Sequence, residues 1–546
     1  MKVLSAAEMQ ACDRVTTERY GVASIDLMRA AAAAVAELAQ REFPQARQVT
    51  VICGRGNNGG DGMMAARLLA VAGLEVTTLL LGDPGWLAGD AAAAWHELTR
   101  AEHGRVQVVL GADDLERQAD AFKADLLVDA VVGTGFTPPL KGSAMAVLEC
   151  VKRSKTPVLA VDLPSGWPAD STESAVDGCV FPADAVVTFT APKLAHVFGQ
   201  LTRRWTQPVV VAPIGSPEEA IASKLAIHWA GSARDLTGSR RKPTANKGNF
   251  GHVVVVGGSF GSTGGKSGAP AMAALAALRA GAGLVTAAVP APAMGLVAAV
   301  APELMTWPLL ATAAGTVAAE NLAPERVAEL LAGKTVLAIG PGLGQSAEAA
   351  EYVVGLLKAT RIPVVIDADA LNILAREPEL LAKLSKGRTV VLTPHPGEMA
   401  RLAGMTVAAV QANRLETARD FALRYSVTVV LKGARTLIAH PDGRVAVNTT
   451  GNPGMAKGGS GDVLTGVVSG FLAQYPANVD MAVEAAVDLH GLAGDLAVAA
   501  GNEHTLLATD MLAEFSRAFR FRERGENGYV WLQGAVHAAA PFEDKR

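Results

Sequence analysis

A glycine-rich stretch that ends on an acid, residues 452–462 (NPGMAKGGSGD), is the strongest candidate for chemistry in this sequence. Four of its eleven residues are glycine, and an apolar run that predicts a helix begins directly after Asp462. Glycine lets backbone N–H groups approach an anion without a Cβ in the way, and a helix N-terminus favours negative charge. The stretch therefore predicts a phosphate-binding loop, in which Asp462 is either a helix cap or a base beside the phosphate.

A second polar loop, residues 432–436 (KGART), follows an apolar run over residues 427–431. A buried strand that ends in a lysine and a glycine is typical of a loop that holds a nucleotide. The two loops together predict a nucleotide site in the second half of the chain.

The first half contains its own glycine-rich loop, residues 54–62 (GRGNNGGDG). It lies between a predicted strand over residues 48–53 and a predicted helix over residues 63–72, an order that suits phosphate binding at the edge of an α/β sheet. It matches neither the full dinucleotide fingerprint nor a P-loop. Asn58 could supply a side-chain oxygen to a hard cation, and Asp61 could hold a ribose hydroxyl or a turn of the loop.

Polar residues follow the predicted strands of this first half. Asp129 lies near the end of one strand, Asp162 and Ser165 follow the next, and Lys193 follows a third. Open α/β sheets place their ligands at the carboxyl ends of their strands. A single aspartate there could be only a turn-former, but the whole set beside the glycine-rich loop favours a binding site.

Composition limits the classes of protein to consider. A chain of 546 residues is too long for one core, and its 50% hydrophobic content with 5% aromatic residues suits α/β domains. The net charge of −4 provides no global basic field, so we expect no nucleic-acid partner. The charge-free residues 280–302 are interrupted by glycine and proline, and the N-terminus lacks an apolar signal region, so we expect no membrane partner. Four cysteines without a CxxC pair favour a reduced, cytoplasmic protein.

The order of strand, polar loop and helix recurs after a polar linker over residues 231–249. It predicts a second, largely parallel α/β domain. We expect domains over residues 1–220 and 225–515, followed by a tail, residues 516–546, that packs on the surface or is disordered.

The first-half motifs, residues 54–62, 128–135, 161–166 and 191–194, resemble the N-terminal domain of the YjeF family. The resemblance implies a Rossmann-like fold and NAD(P)H-hydrate epimerase activity. It implies a K⁺ ion held by Asn58, Asp129 and Ser165, with Asp162 contacting the substrate near the reacting ring and Lys193 as a partner in proton transfer. It further implies a substrate site formed by Asn57, Asn58, Gly59, Gly60, Asp61, Gly133, Thr134, Gly135, Phe136, Thr137, Pro138, Pro139 and Asp162.

The second half resembles the C-terminal domain of the same family, a ribokinase-like (S)-NAD(P)H-hydrate dehydratase that uses ADP or ATP with Mg²⁺. By this resemblance the hydrate contacts Ala269, Gly342, His395 and Asp462; His395 has a proline on each side. The nucleotide would be held by Lys432, Gly433, Ala434, Arg435, Thr436, Asn452, Gly454, Met455, Lys457, Gly458, Gly459, Ser460 and Gly461.

The resemblance thus implies a bifunctional enzyme that epimerises NADH and NADPH hydrate and dehydrates the S epimer at the expense of ADP or ATP. Asp462 would accept the proton of the C6 hydroxyl while the loop amides stabilise the transferred phosphoryl group. The ring nitrogen would then expel the phosphate. We also expect a homo-oligomer, since alanine-rich helix surfaces are compatible with close subunit packing.

Two other interpretations remain open at this stage. The glycine loop with its aspartate also occurs in small-molecule kinases that act on hydroxymethylpyrimidine or thiazole. The first domain could be a non-catalytic binding module, although it retains Asn58, Asp129, Asp162 and Ser165.

Overall fold

The computed structural model describes residues 1–101, 104–176, 178–238, 240–262, 264–525 and 527–537. The chain forms two compact units, one from residues 1–225 together with residues from 522 onward, and the other from residues 226–521. Each unit is a mainly parallel sheet with helices, as expected when β-branched strand runs alternate with amphipathic helices.

The described part of the first unit contains seven α-helices and seven strands before its C-terminal addition. The helices are α1 (Ala6–Tyr20), α2 (Ser24–Glu42), α3 (Asn57–Val71), α4 (Gly89–Arg100), α5 (Ala112–Arg117), α6 (Ser143–Ser154) and α7 (Leu194–Phe198). The strands are β1 (Gln48–Cys53), β2 (Glu75–Leu81), β3 (Arg105–Val109), β4 (Leu126–Ala130), β5 (Val158–Val161), β6 (Ala185–Phe189) and β7 (Val209–Ala212).

The second unit is larger. Its strands are β8 (Ile227–Trp229), β9 (His252–Val256), β10 (Phe260–Gly261), β11 (Gly264–Gly265), β12 (Leu284–Pro290), β13 (Met305–Leu309), β14 (Val336–Ile339), β15 (Val364–Ile366), β16 (Val390–Leu392), β17 (Thr428–Leu431), β18 (Leu437–Ala439) and β19 (Val445–Val447). Its helices are α8 (Gly268–Arg279), α9 (Met294–Ala298), α10 (Pro324–Leu331), α11 (Ala347–Ala359), α12 (Ala368–Leu374), α13 (Leu380–Leu384), α14 (Pro396–Ala403), α15 (Val407–Ala412), α16 (Arg414–Tyr425), α17 (Ser460–Gln474), α18 (Val479–Ala500) and α19 (Ala508–Arg520).

A final strand, β20 (Val530–Gln533), returns to the first unit and pairs antiparallel with β7. The expectation that the tail packs on the surface or is disordered is therefore wrong for this segment. Its apolar residues explain the difference, since Val530, Trp531 and Leu532 are all buried and Trp531 is only 1% exposed. The charged residues that precede them in the sequence mask this short strand signal.

The sheet of the first unit has the strand order β20-β7-β6-β5-β4-β1-β2-β3. Strands β1 to β7 are parallel, and β1 lies between β4 and β2. Successive strands are therefore added in opposite directions on the two sides of the β1–β4 pair. Such a switch point opens a crevice at the carboxyl ends of the strands, where ligands bind in open α/β sheets.

Helix α3 begins earlier than the sequence predicts, at Asn57 rather than after the glycine-rich loop. A Cβ on Gly60 would lie 2.6 Å from Cε of Met28, and one on Gly62 would lie 2.4 Å from Cβ of Ala130. These glycines therefore allow the first turns of α3 to pack closely on α2 and β4. The two asparagines of the loop consequently lie at a helix N-terminus, where backbone N–H groups are available to an anion.

The sheet of the second unit has the order β13-β12-β9-β14-β15-β16-β17-β18-β19-β8, and only β18 runs against its neighbours. Helices α8 and α17 pack together with their backbones in close approach. A Cβ on Gly466 would lie 2.0 Å from the carbonyl oxygen of Ala273, and one on Gly470 would lie 2.8 Å from that of Ala277. This packing places the N-terminus of α17, which carries Asp462, beside the start of α8.

None of the described helices is long and apolar enough to cross a bilayer. The charge-free residues 280–302 form β12 and the short helix α9, as the glycines and prolines in that stretch predict.

Candidate active sites

A cleft of about 920 Å³ opens in the first unit at the carboxyl ends of β1 and β4. This volume can hold a dinucleotide-sized ligand. Gly59 and Gly60 are buried, and neither they nor Pro138 and Pro139 are among its lining residues. The predicted site residues that do line it are Asn57, Asn58, Asp61, Gly133, Thr134, Gly135, Phe136, Thr137, Asp162 and Lys193.

Asp162 is the most heavily bonded acid of this cleft. It follows β5 in the left-handed region (φ 64°), and its Oδ1 accepts hydrogen bonds of 2.9 Å from both Lys193 Nζ and Thr188 Oγ1. Its Oδ2 accepts a 2.9 Å hydrogen bond from the backbone N–H of Thr134. Burial acts to raise the pKa of Asp162, but the Lys193 ammonium and the hydrogen bonds outweigh it and lower the pKa to about 2. Asp162 is therefore a fixed anion.

His196 holds this pair in place, and the sequence reasoning missed it. Its Nδ1 accepts a 3.0 Å hydrogen bond from the backbone N–H of Lys193, and its Nε2 lies 2.7 Å from the carbonyl oxygen of Asp162. Burial lowers the pKa of His196 to about 4, so the neutral ring donates from Nε2. The only sequence signal was its spacing of three residues from Lys193, which is that of a helix cap.

Asp129 and Ser165 lie together, fully buried, at the ends of β4 and β5. The Ser165 hydroxyl donates a 2.6 Å hydrogen bond to Oδ1 of Asp129, and the Ser165 backbone N–H donates one of 2.7 Å to Oδ2. Burial raises the pKa of Asp129 to about 6, and these hydrogen bonds oppose the rise. The carbonyl oxygen of Val132 lies 3.2 Å from the Ser165 hydroxyl oxygen.

Asn58, the third residue implied for K⁺, approaches the same region. A Cβ on Gly133 would lie 3.0 Å from Oδ1 of Asn58 and 3.0 Å from Oδ2 of Asp162, so only glycine allows this approach. The buried Nδ2 of Asn58 finds no hydrogen-bond partner among the described residues. Carboxylate, hydroxyl and carbonyl oxygens suit a hard cation, so the residues present fit the K⁺ that the resemblance implies.

Helix α1 forms one wall of the cleft, which the sequence did not reveal. Gln10, Asp13, Arg14 and Thr17 line it at spacings of three and four residues, so one face of the helix points inward. In the sequence, a polar stripe of this kind is indistinguishable from one that faces solvent. The structure thus adds a carboxylate, Asp13, to the predicted set.

In the second unit, Asp462 is the third residue of α17 and is half-buried. The helix is entered through Gly459 in the left-handed region (φ 100°). Burial raises the pKa of Asp462 to about 6; the carboxylate of Asp367 adds to the rise, and the ammonium of Lys432 opposes it. Asp462 can therefore exchange a proton near neutral pH.

Lys432 and Asp367 form an ion pair beside Asp462 that the sequence reasoning did not identify. Lys432 Nζ donates a 2.9 Å hydrogen bond to Oδ1 of Asp367, and the Thr465 hydroxyl donates one of 2.7 Å to Oδ2. Glu398 lies 3.8 Å from the same ammonium. Asp367 follows β15 directly. In the sequence it therefore stands at the end of a predicted strand, as Asp162 does in the first unit.

The two predicted nucleotide loops meet. A Cβ on Gly461 would lie 3.3 Å from Nζ of Lys432, and the first loop bends through left-handed residues at Gly433 (φ 138°) and Arg435 (φ 55°). Thr436 closes the turn by donating a 2.9 Å hydrogen bond to the carbonyl oxygen of Gly433. A single site formed by both loops is therefore sterically available.

Several side chains of the glycine-rich loop support the loop itself. Asn452 Oδ1 accepts a 3.0 Å hydrogen bond from the N–H of Gly454, and its Nδ2 donates one of 2.9 Å to Asp495. Lys457 Nζ donates a 2.6 Å hydrogen bond to the carbonyl oxygen of His504. A ligand in this loop would therefore meet mainly backbone N–H groups.

The predicted hydrate contacts fall into two positions. Ala269 and Gly342 are neighbours, since a Cβ on Gly342 (φ 68°) would lie 3.3 Å from that of Ala269. His395 caps α14, because its Nδ1 accepts a 3.0 Å hydrogen bond from the N–H of Gly397. Its Nε2 lies 3.5 Å from Oε1 of Glu398, and half of the side chain is exposed. A substrate contact by His395 stays a prediction.

Comparison with known proteins supports both halves. Residues 24–195 match the family described as YjeF-related protein N-terminus, and residues 253–517 match the family described as NAD(P)H-hydrate dehydratase. The bifunctional NAD(P)H-hydrate repair enzyme Nnr of Moorella thermoacetica is 42% identical over 529 residues, covering 94% of this chain and 95% of that protein. The enzyme of the same name from Escherichia coli is 34% identical over 515 residues, covering 94% and 93%.

Solved structures include an ADP/ATP-dependent NAD(P)H-hydrate dehydratase from Bacillus subtilis, co-crystallised with ATP and Mg²⁺. It is 30% identical, covers 52% of this chain and 95% of its own, and gives a TM-score of 0.43. The full-length relatives decide between the interpretations left open by the sequence and favour the repair enzyme over the kinase. The chain belongs to the family of bifunctional NAD(P)H-hydrate repair enzymes.

Proposed function

We propose that the first unit interconverts the R and S epimers of NADH and NADPH hydrate, and that the second dehydrates the S epimer with ADP or ATP. The observation that carries the first assignment is the buried Asp162–Lys193 pair at the wall of a cleft large enough for the dinucleotide. The second rests on Asp462 beside Lys432 at the junction of two anion-binding loops.

In the epimerase cleft the hydrate would lie with its diphosphate at the N-terminus of α3 and its reduced ring near Asp162. The backbone N–H groups from Asn57 onward would bind the phosphate oxygens. The fixed carboxylate of Asp162 would stabilise positive charge that develops on the ring when the C6 hydroxyl departs. Lys193 would hold this carboxylate in place by its hydrogen bond.

A potassium ion, when bound, would neutralise part of the diphosphate charge. Asn58, Asp129 and Ser165 would hold it, with the carbonyl oxygen of Val132 as a further donor. Because Asp129 is fully buried, its negative charge is matched in this arrangement by a cation rather than by solvent.

In the dehydratase site Asp462 would accept the proton of the C6 hydroxyl as that oxygen attacks the terminal phosphoryl group. The loop N–H groups and Lys432 would stabilise the phosphoryl oxygens. The lone pair of the ring nitrogen would then expel phosphate, and loss of a proton from C5 would restore NAD(P)H. The described residues contain no group of three His, Cys, Asp or Glu that could hold a metal, so Mg²⁺ would be bound mainly by the nucleotide phosphates.

Absorbance at 340 nm tests both assignments. The purified protein is mixed with a known ratio of R and S NADH hydrate, with ADP, with ATP, or with neither. Recovery of absorbance from both epimers only when a nucleotide is present would support both sites and identify the preferred nucleotide. Recovery that stops at the S fraction would contradict the epimerase assignment. No recovery with either nucleotide would contradict the dehydratase assignment and revive the kinase.

A further inference from the structure

Epimerisation at C6 requires a group that gives and takes a proton, and Asp162 is poorly suited to this. Both of its carboxylate oxygens already accept hydrogen bonds, from Lys193 and Thr188 on one side and from Thr134 on the other. Protonation at either oxygen would break one of these bonds and leave the buried Lys193 ammonium without its counter-charge. The proton carrier must therefore be another residue of the cleft.

Asp13 on α1 meets the geometric requirements. It is half-buried and lines the same cleft, on the inward face shared with Gln10 and Thr17. Its Oδ1 is buried without a hydrogen-bond partner among the described residues. Asp162 and Lys193 line the same cleft.

We propose that Asp13 is the general acid and base of the epimerase, acting on the C6 hydroxyl of the hydrate while Asp162 remains an anion. The proposal rests on the proposed epimerase function of this unit. Neither the resemblance nor the strand-end pattern pointed to α1, because the site was inferred from loops that follow strands.

The step balances without any further reactant. Protonated Asp13 gives its proton to the C6 hydroxyl, the C6–O bond breaks, and the N1 lone pair forms an N1=C6 double bond as water leaves. The iminium ring then turns about its bond to the ribose, so that water beside Asp13 attacks the opposite face of C6 and gives a proton to the Asp13 carboxylate. The new C6–O bond returns the electron pair to N1, so only the configuration at C6 has changed.

The electrostatic surroundings agree with this role. Burial raises the pKa of Asp13 to about 6, with Lys193 opposing the rise and Asp162 adding to it. Burial and the charge of Asp13 in turn raise the pKa of Asp61 of α3 and of Cys12 of α1. Arg14 and Glu18 of α1 and Asp90 of α4 are further charged residues that line the same cleft. Burial raises the pKa of Asp61 well above its usual range, and the charges of Asp162 and Asp13 add to the rise. Two carboxyl groups with separated pKa values, Asp13 and Asp162, are what acid–base catalysis beside a fixed anion requires.

The test measures epimer exchange in the full-length protein without nucleotide, starting from pure S NADH hydrate and following the R epimer by chromatography. The enzyme-free rate is subtracted. We expect D13N to lower kcat by about 10²- to 10⁴-fold, with KM within about threefold of wild type. D13E, which retains a carboxyl group, should recover part of the activity. The surface variant D26N is the matched control, since Asp26 is exposed and its side chain pairs with Arg29 among the described residues.

The pH profile separates catalysis from folding. The starting complex needs protonated Asp13, so wild-type kcat should fall as pH rises above about 6, and residual activity of D13N should lose this limb. Hydrogen exchange in β5 and β6 of the same variant reports that the first unit is folded.

Three results would overturn the proposal. The first is exchange by D13N within threefold of wild type. The second is a wild-type kcat that is independent of pH between 5 and 8, which does not depend on any variant folding. The third is no exchange by the wild-type protein at all, which would remove the proposed epimerase function itself and is distinguishable from the other two.

Discussion

The ammonium of Lys193 lies 2.9 Å from Oδ1 of Asp162, and the two side chains are 2% and 9% exposed. Taking two charges out of water costs several kcal/mol per ion, so such a pair adds little to stability unless hydrogen bonds complete it. Here the Thr188 hydroxyl and the Thr134 backbone N–H donate hydrogen bonds to the Asp162 carboxylate. These hydrogen bonds fix both charged groups in place, so the cluster is a rigid charged centre.

Replacing Lys193 by methionine should lower the free energy of unfolding of the first unit. K193M leaves the Asp162 carboxylate buried without a counter-charge, and breaking a buried pair in this way costs about 3–5 kcal/mol. Hydrogen exchange in β5 and β6 would report the loss within the first unit, and epimer exchange should disappear. The control is K123M, because Lys123 forms an exposed pair with Asp120. If hydrogen exchange in β5 and β6 and epimer exchange were the same in K193M as in wild type, the proposed role of the Lys193–Asp162 pair would be contradicted.

The acid stability of the first unit should depend on the same residue. The folded pKa of Asp162 is lowered to about 2, so its contribution is fully present above its ordinary value near 4 and is lost as pH falls through 2. The wild type should therefore lose protection of β5 and β6 between about pH 4 and pH 2. K193M should show a smaller loss over this interval.

Potassium should stabilise the first unit. Asp129 is a buried carboxylate whose described partners are the hydroxyl and backbone N–H groups of Ser165 and Val131, which carry no net charge. A cation at Asn58 and Asp129 would compensate that charge, and at about 100 times its Kd it would add about 2.7 kcal/mol. Thermal unfolding in KCl is compared with unfolding in choline chloride at equal ionic strength.

Two variants make the potassium test specific. D129N should remove the difference between KCl and choline chloride, and S165A should shift the K⁺ titration to higher concentration. In both salts, D129N and S165A should turn over S NADH hydrate with ADP at the wild-type rate. A wild-type midpoint that is identical in both salts would refute the ion site.

The sequence reveals candidate residues where chemistry coincides with chain topology, and their roles stay predictions. Asn58, Asp162 and Lys193 follow strands, and Asp129 is the last residue but one of β4. Parallel strands bring their carboxyl ends to one edge whatever the details of packing. Asp13 lies on a helix that no strand precedes. Its direction depends on how α1 packs, which the sequence pattern does not encode.

For the fold too, the sequence predicts features with a local pattern and misses those that depend on packing between distant residues. The strand β1 has the bounds that its apolar run indicates, residues 48–53. The start of α3 was misplaced because glycines that look like a loop in the sequence are helical residues that permit close packing. The strand β20 was missed because its partner β7 is more than three hundred residues distant, and no local signal reveals such pairing.

The second unit should lose stability as pH rises above neutrality. His440 is fully buried, with Nε2 2.8 Å from Glu484 and Nδ1 3.3 Å from Asp480. Burial acts to lower the pKa of His440, but the two carboxylates outweigh it and raise the pKa to about 9. The stabilisation is therefore present below about pH 6.5 and is lost between pH 6.5 and 9, by roughly 1–3 kcal/mol.

Urea unfolding between pH 6 and pH 9, with hydrogen exchange in β18 and α18 as the readout, measures this loss of stability. H440Q should be less stable than wild type at pH 6 and should show a flatter pH dependence. H504Q is the control, because His504 is exposed and its described contacts are made by the backbone. A wild-type stability that rises between pH 7 and 9 would contradict the assignment.

Dehydration should depend on Asp462 through its charge. The pKa of this carboxyl is raised to about 6 by burial and by Asp367, and the ionised form is the one that accepts the hydroxyl proton. Turnover of S NADH hydrate with ADP should therefore fall as pH decreases below about 6. D462N should lower kcat by about 10²- to 10⁴-fold, while calorimetric binding of ADP persists, because the loop N–H groups and Lys432 are unchanged. D420N, an exposed substitution on α16, should leave turnover and its pH profile as in wild type. If D462N retained near-normal turnover, or if the acid limb persisted unchanged in its residual activity, Asp462 would not be the base, and the Lys432–Asp367 pair would be the next group to test.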